Sequence, residues 1–123
     1  MLSRAAVLAV CAGTIGALTV VPAAAEELEP ALVHATPNNA CKLNVRDGTT
    51  MAADKLVTLT CDNYTTCVHA ESPEQPCGPY VVGGTYSCVG PDDTQVTDNR
   101  WVEVAWRAPE KSYVAVACAA FRS

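Results

Sequence analysis

The cysteines are the residues of this sequence with the clearest chemistry. One of the seven, Cys11, lies in an apolar N-terminal run, and six follow it: Cys41, Cys61, Cys67, Cys77, Cys88 and Cys118. An even number of cysteines in a short chain bound for an oxidising compartment predicts a disulfide framework. A zinc site built from Cys61, Cys67, His69 and Cys77 is the alternative, but no paired C-x-x-C is present. We therefore expect three disulfides and no metal.

Nucleophilic and acid–base catalysis find little support. The sequence has two histidines, His34 and His69, and no nucleophile-elbow motif surrounds any serine. A Cys67–His69 pair would need a free thiol, which a disulfide framework removes. Asp92 and Asp93 follow Gly-Pro and are typical of a turn. We expect a protein that is not an enzyme and needs no cofactor.

Aromatic side chains offer a candidate binding surface. Trp106 is in phase with the valines of its segment, which predicts core packing. Trp101 and Tyr113 are out of phase with their apolar neighbours and are therefore predicted on the outer faces of adjacent strands. Flat aromatic faces there could form a ligand platform, with Glu103 on its rim. The alternative is a second small core beneath the loop Tyr64–Pro79.

The N-terminal segment predicts export. Met1–Ala25 has an early arginine, a 17-residue uncharged run and a small-residue A-x-A cleavage pattern, as in a secretory signal peptide. A retained membrane anchor is the alternative, although the run is slightly short for a span. Residues 26–40 are acidic and proline-containing, and we expect a disordered leader there. Residues 41–123 then form one domain of a secreted, extracellular protein.

Charge narrows the choice of partners. The chain has a formal net charge of −5 and no run of lysine or arginine. We therefore expect no nucleic acid and, after signal cleavage, no membrane as a partner. We expect the domain to be a monomer.

Two segments predict a β-hairpin. Cys41–Arg46 and Val57–Cys61 both alternate apolar with polar residues, as half-buried strands do. Antiparallel pairing about a loop near Met51 places Cys41 opposite Cys61, within reach of a disulfide. The same register predicts two apolar pairs, Leu43 with Leu59 and Val45 with Val57.

The rest of the chain also shows a period of two. Further strands are predicted at Tyr80–Val82, Thr85–Cys88, Trp101–Trp106 and Tyr113–Cys118, with a break at Gly83-Gly84. A Cys67–Cys77 bridge would close the irregular loop, and Cys88 would pair with Cys118 by elimination. We predict an all-β fold, a small disulfide-stapled barrel or sandwich of about five to seven short strands.

Two stretches carry a family resemblance. The N-terminal motif of bacterial Src-homology-3-like domains is similar to Leu43-Asn44-Val45-Arg46-Asp47-Gly48. Their C-terminal motif resembles Arg100–Val104 followed by Tyr113-Val114. Ser112 stands where that family usually has glycine. The resemblance implies a five- to seven-strand barrel that binds a cell-wall polymer or peptide without catalysis. It also places the ligand groove at Trp101 and Tyr113.

Three functions follow as hypotheses. The first is a secreted binding module with a groove at Trp101, Tyr113 and Glu103. The second is an inhibitor of an extracellular hydrolase, which would present Val68–Pro76 as a rigid loop. The third is a domain that mainly folds and persists with an unidentified extracellular partner protein.

Overall fold

The computed structural model describes residues 28–122, and the predicted signal peptide lies outside them. Eight strands occur in this range: β1 (Leu32–Ala35), β2 (Leu43–Arg46), β3 (Lys55–Leu59), β4 (Thr65–Thr66), β5 (Val81–Val89), β6 (Gln95–Val104), β7 (Ser112–Ala115) and β8 (Ala119–Arg122). Short 3-10 turns cover Pro37–Asn39, Pro91–Asp93 and Val116–Cys118. Between residues 28 and 122 there is no helix with the length and apolar character of a membrane span.

The strands form two antiparallel sheets. The larger has the order β3-β2-β7-β6-β5, and the smaller has the order β4-β1-β8. The all-β fold with three disulfides is therefore confirmed.

The β2–β3 hairpin has the register that the alternation predicts. Leu43 pairs with Leu59 and Val45 pairs with Val57. Cys41 and Cys61, just outside the paired strands, form a disulfide with their Cα atoms 4.9 Å apart. Beyond Val45 the register shifts, so that Arg46 pairs with Lys55.

The segment before Cys41 differs from the predicted disordered leader. β1 is the central strand of the smaller sheet, and its Val33 and Ala35 are fully buried. Its partners are β4 and β8, which lie far away in the sequence. The prolines at positions 30 and 37 flank this strand without interrupting it. The folded domain therefore begins well before Cys41, and only residues 26 and 27 of the predicted leader lie outside the described part.

One face of the larger sheet belongs to the main core. Alternation along β2, β6 and β7 places five buried residues there: Leu43, Val45, Val102, Val104 and Val114. They join the buried residues of β1 in one cluster. Ser112 also lies on this face, fully buried, and its hydroxyl donates to the carbonyl of Val104 at 2.9 Å. That bond satisfies a buried polar group that would otherwise be costly.

The larger sheet curls, and the side turned away from the main core is concave. β5 is continuous across Gly83-Gly84, where the sequence predicted a break, and its register with β6 shifts at this point. The Gly84 N–H donates to the carbonyl of Thr49 at 2.7 Å, so the β2–β3 loop lies against the far edge strand. A Cβ at Gly83 would lie 2.3 Å from that same carbonyl oxygen, and glycine is needed for this approach. We call the concave side of this curled sheet the open face.

Candidate functional site

The two other predicted disulfides are present in the described part of the chain. Cys67 is bonded to Cys77, and Cys88 is bonded to Cys118. All the sulfur atoms of the alternative zinc set are therefore in disulfides. Neither a thiolate ligand nor a cysteine nucleophile is left at these positions.

Trp101 lies on the face of β6 that the alternation predicts, but it is not exposed there. The prediction was an outer face open to a ligand, but the side chain is only 1% exposed. Its Nε1–H donates to the carbonyl of Gly84 at 2.9 Å, and its ring meets that of Tyr86 edge-to-face with centroids 5.2 Å apart. The face is the predicted one, but the curl of the sheet covers it. Trp101 is therefore part of the floor of the open face rather than an exposed platform.

Trp106 differs from prediction in the opposite direction. The phase argument placed it in the core, yet it is 43% exposed. β6 ends at Val104, and Trp106 lies in the turn that leads to β7. The strand ends two residues before Trp106, so the alternation of β6 does not determine the position of the Trp106 side chain.

Glu103 and Tyr113 are brought together. They are cross-strand partners of β6 and β7 and are both half-buried. The carboxylate of Glu103 lies 3.6 Å from the ammonium group of Lys111. Alternation puts both on the same side of β6 and β7 as Trp101, but of these three only Trp101 lines the cleft described next. Ligand binding by Glu103 and Tyr113 stays a prediction.

A cleft of about 670 Å³ occupies the open face. Its floor contains Tyr86, Trp101 and the Cys88–Cys118 disulfide, which are all buried. Asn44 and Thr58 form one wall, where the Thr58 hydroxyl donates to Oδ1 of Asn44 at 2.8 Å. Three cations also line it, namely Lys42, Arg46 and Lys55. A rigid apolar floor with a few polar groups around it is typical of a ligand site.

The cationic character of this cleft was missed in the sequence because its lysines and arginine do not form a run. A signal was nevertheless present, since Lys42, Asn44 and Arg46 alternate with the buried Leu43 and Val45. That pattern places all three polar side chains on one face of β2. The alternation does not show whether the strand that pairs with β2 carries acidic residues that would neutralise these cations.

The polar groups that line the cleft are cationic, amide and hydroxyl groups. Among residues 28–122, no histidine, aspartate or glutamate lines it. Thr58 and Ser87 also line it, and the Thr58 hydroxyl donates to Oδ1 of Asn44. A cleft lined by cations, amides and hydroxyls over an apolar floor is suited to holding a ligand.

Tyr86 ties the floor together. Its hydroxyl donates to the carbonyl of Arg100 at 2.7 Å and accepts from the N–H of Ala117 at 3.0 Å. Burial raises the pKa of Tyr86 above its usual value, because the phenolate would lose its hydration. At the edge of this network, the hydrogen bond from the Arg100 guanidinium lowers the pKa of Asp98.

This shift predicts an alkaline loss of stability. The unfolded tyrosine ionises near pH 10, whereas folded Tyr86 stays neutral to a higher pH. Its contribution is therefore complete below about pH 10 and is lost as the pH rises through the folded pKa. We expect the urea midpoint to fall steeply above about pH 10 and the fall to be shallower in Tyr86→Phe. The exposed Tyr64→Phe should keep the wild-type slope, and an identical slope in Tyr86→Phe would contradict the prediction.

Comparisons with protein-family models, with curated proteins and with solved structures find no match to this chain. The case for a function therefore rests on the residues and geometry described above.

Proposed function

We propose that this chain is an exported, non-catalytic binding module whose ligand site is the cleft on the open face. The observation that carries the proposal is the preformed cleft with its buried aromatic and disulfide floor. A site held rigid before binding loses little conformational entropy when the ligand arrives. Within residues 28–122, the lining of the cleft contains no carboxylate or imidazole, which favours recognition over catalysis.

Export is the second part of the proposal. The signal-like segment Met1–Ala25 and the three disulfides both suit an oxidising, extracellular setting. In a domain of this size, disulfides compensate for a small core.

A component of the cell wall is the ligand class that we propose. The Src-homology-3-like resemblance supports it, on the β2 sequence Leu43–Arg46 and on the β6 and β7 residues that follow the family's closing pattern. The curl that brings Thr49 onto Gly84 is compatible with a partly closed small barrel. Fold resemblance alone does not fix a ligand, so the site must be tested directly.

Sedimentation with purified cell wall tests this function. We expect the wild-type protein to pellet with insoluble peptidoglycan and Thr58→Trp to stay in the supernatant, because the indole would fill the cleft. Thr97→Trp is the matched control, since Thr97 is an exposed strand residue outside the cleft lining. Failure of the wild-type protein to pellet, or equal pelleting of both variants, would refute the proposal.

An inhibitor of an extracellular hydrolase is the second candidate. The loop between Cys67 and Cys77 is closed by its disulfide and by a turn in which the Gln75 N–H donates to the Ser72 carbonyl at 3.0 Å. Its tip, Pro73-Glu74, is exposed. A rigid exposed loop of this kind lowers the entropy cost of binding an enzyme. Assays against a panel of proteases and glycosidases would exclude this function if none is inhibited at micromolar concentrations.

A further inference from the structure

The cations of the cleft are unusually placed for a chain with a net charge of −5. Lys42 and Lys55 are exposed and Arg46 is half-buried. Neither lysine nor Arg46 takes part in an ion pair with any residue of the described range. The basic groups that do form ion pairs there are Arg100 with Asp98 and Lys111 with Glu103, and none of these four residues lines the cleft.

Two of these cations oppose each other directly. Arg46 and Lys55 are cross-strand partners at the register shift of the β2–β3 hairpin. Like charges in directly opposite positions destabilise a sheet. The guanidinium of Arg46 gains one internal acceptor, since its Nη1 donates to the carbonyl of Ala53 at 2.9 Å. A neutral carbonyl leaves the positive charge uncompensated.

Nearby carboxylates do not neutralise the pair. Asp47 and Asp54 are the sequence neighbours of Arg46 and Lys55, but neither lines the cleft. Oδ1 of Asp47 instead accepts the N–H of Asp54 at 3.0 Å across the base of the loop. Within residues 28–122, the lining of the cleft therefore carries three cations and no carboxylate, in a chain whose net charge is −5.

We infer that the cleft binds an acidic polymer of the cell wall through anionic oxygens on the ligand, an inference that rests on the proposed function. Lys42 immediately precedes β2 and Arg46 is its last residue, so their Cα atoms are about 13 Å apart at the rise of an extended strand. Because the Arg46 guanidinium is held by the Ala53 carbonyl, an extended ligand with spaced anionic groups fits this separation better than a single small anion. The ligand is therefore extended and carries at least two phosphate or carboxylate groups, which the cations meet while the uncharged part lies over Asn44 and Thr58.

Charge reversal tests the inference. We expect Lys42→Glu combined with Lys55→Glu to weaken binding to purified cell wall at least tenfold at low salt. Wild-type binding should fall as NaCl is raised, because salt screens exposed charges. Arg122→Glu is the control, since Arg122 is an exposed cation of β8 outside the cleft lining, and it should bind within about twofold of wild type.

Chemically treated walls distinguish the sources of the anion. Hydrofluoric acid removes phosphodiester-linked polymers, and carbodiimide amidation neutralises the carboxylates of the remaining peptidoglycan. If hydrofluoric acid treatment by itself abolishes binding, the anionic group of the ligand is a phosphate. If binding is lost only after amidation, the anionic group is a carboxylate. Binding that survives both treatments would overturn the inference.

The outcomes separate this inference from the proposed function. If the double charge variant binds like wild type while Thr58→Trp does not bind, the cleft is a wall site but its ligand is not recognised as an anion. If wild type fails to bind any wall preparation and binds poly-L-glutamate in calorimetry, the wall proposal is wrong and an acidic peptide takes its place. If it binds neither, both proposals fail.

Discussion

Replacement of Cys88 and Cys118 together by alanine is expected to lower the free energy of unfolding by about 3–4 kcal/mol. The two residues are 30 positions apart, and their disulfide limits the conformations of the unfolded chain over that distance. The bond also joins the edge strand of the larger sheet, β5, to the turn that leads into β8 of the smaller sheet. Domains of this size are typically stable by roughly 5–15 kcal/mol, so this one bond accounts for a large share.

The Cys67–Cys77 bond provides a matched comparison. Its residues are 10 positions apart, so the same entropy argument gives about 2.5–3 kcal/mol for the corresponding double alanine variant. Equilibrium unfolding in guanidinium, followed by tryptophan fluorescence, measures both losses. A loss below about 1 kcal/mol for the Cys88–Cys118 variant would contradict the expectation and show that packing alone holds the two sheets together.

The parts of the fold that the sequence predicts well are local. The β2–β3 hairpin is one: alternation fixes which residues face the core, and the Cys41–Cys61 pair fixes the register. β1 is different, because its short strand pairs with Thr65-Thr66 and with the C-terminal β8. Partners that far apart leave no mark in the segment itself, and its acids and prolines then favour a disordered tail.

The candidate site was half predictable for a similar reason. Period-two alternation identifies the side of β6 on which Trp101 lies, but not what covers that side. The cover depends on the Gly84 N–H donating to the Thr49 carbonyl, a contact between strand β5 and the distant β2–β3 loop. Equally, the alternation of β2 reveals Lys42 and Arg46 on one face, whereas Lys55 joins them only through strand pairing. The local pattern predicts the face of the strand on which a side chain lies, and the tertiary structure decides whether that side chain is exposed.

Trp101→Ala is expected to be the most damaging single substitution, lowering the free energy of unfolding by about 3–5 kcal/mol. The change would leave a cavity beside the ring of Tyr86 and remove the donor to the half-buried carbonyl of Gly84. Trp101→Phe keeps an aromatic contact and loses the hydrogen bond, so we expect about 1–3 kcal/mol. Trp106→Ala removes an exposed side chain and should change stability by less than about 1 kcal/mol.

Stability and binding measured on these same variants distinguish the structural role of Trp101 from the ligand contact that its phase predicted. If Trp101 only supports the cleft from below, binding should be lost only where stability is lost. Trp101→Phe, still folded, should then retain most wall binding because its ring remains beneath the cleft. A direct stacking platform predicts instead that Trp101→Ala stays folded and abolishes binding. Unfolding in guanidinium and wall sedimentation at equal protein concentration decide between them. If Trp101→Ala were as stable as wild type and failed to bind, the assignment of Trp101 to the floor would be wrong and the platform restored.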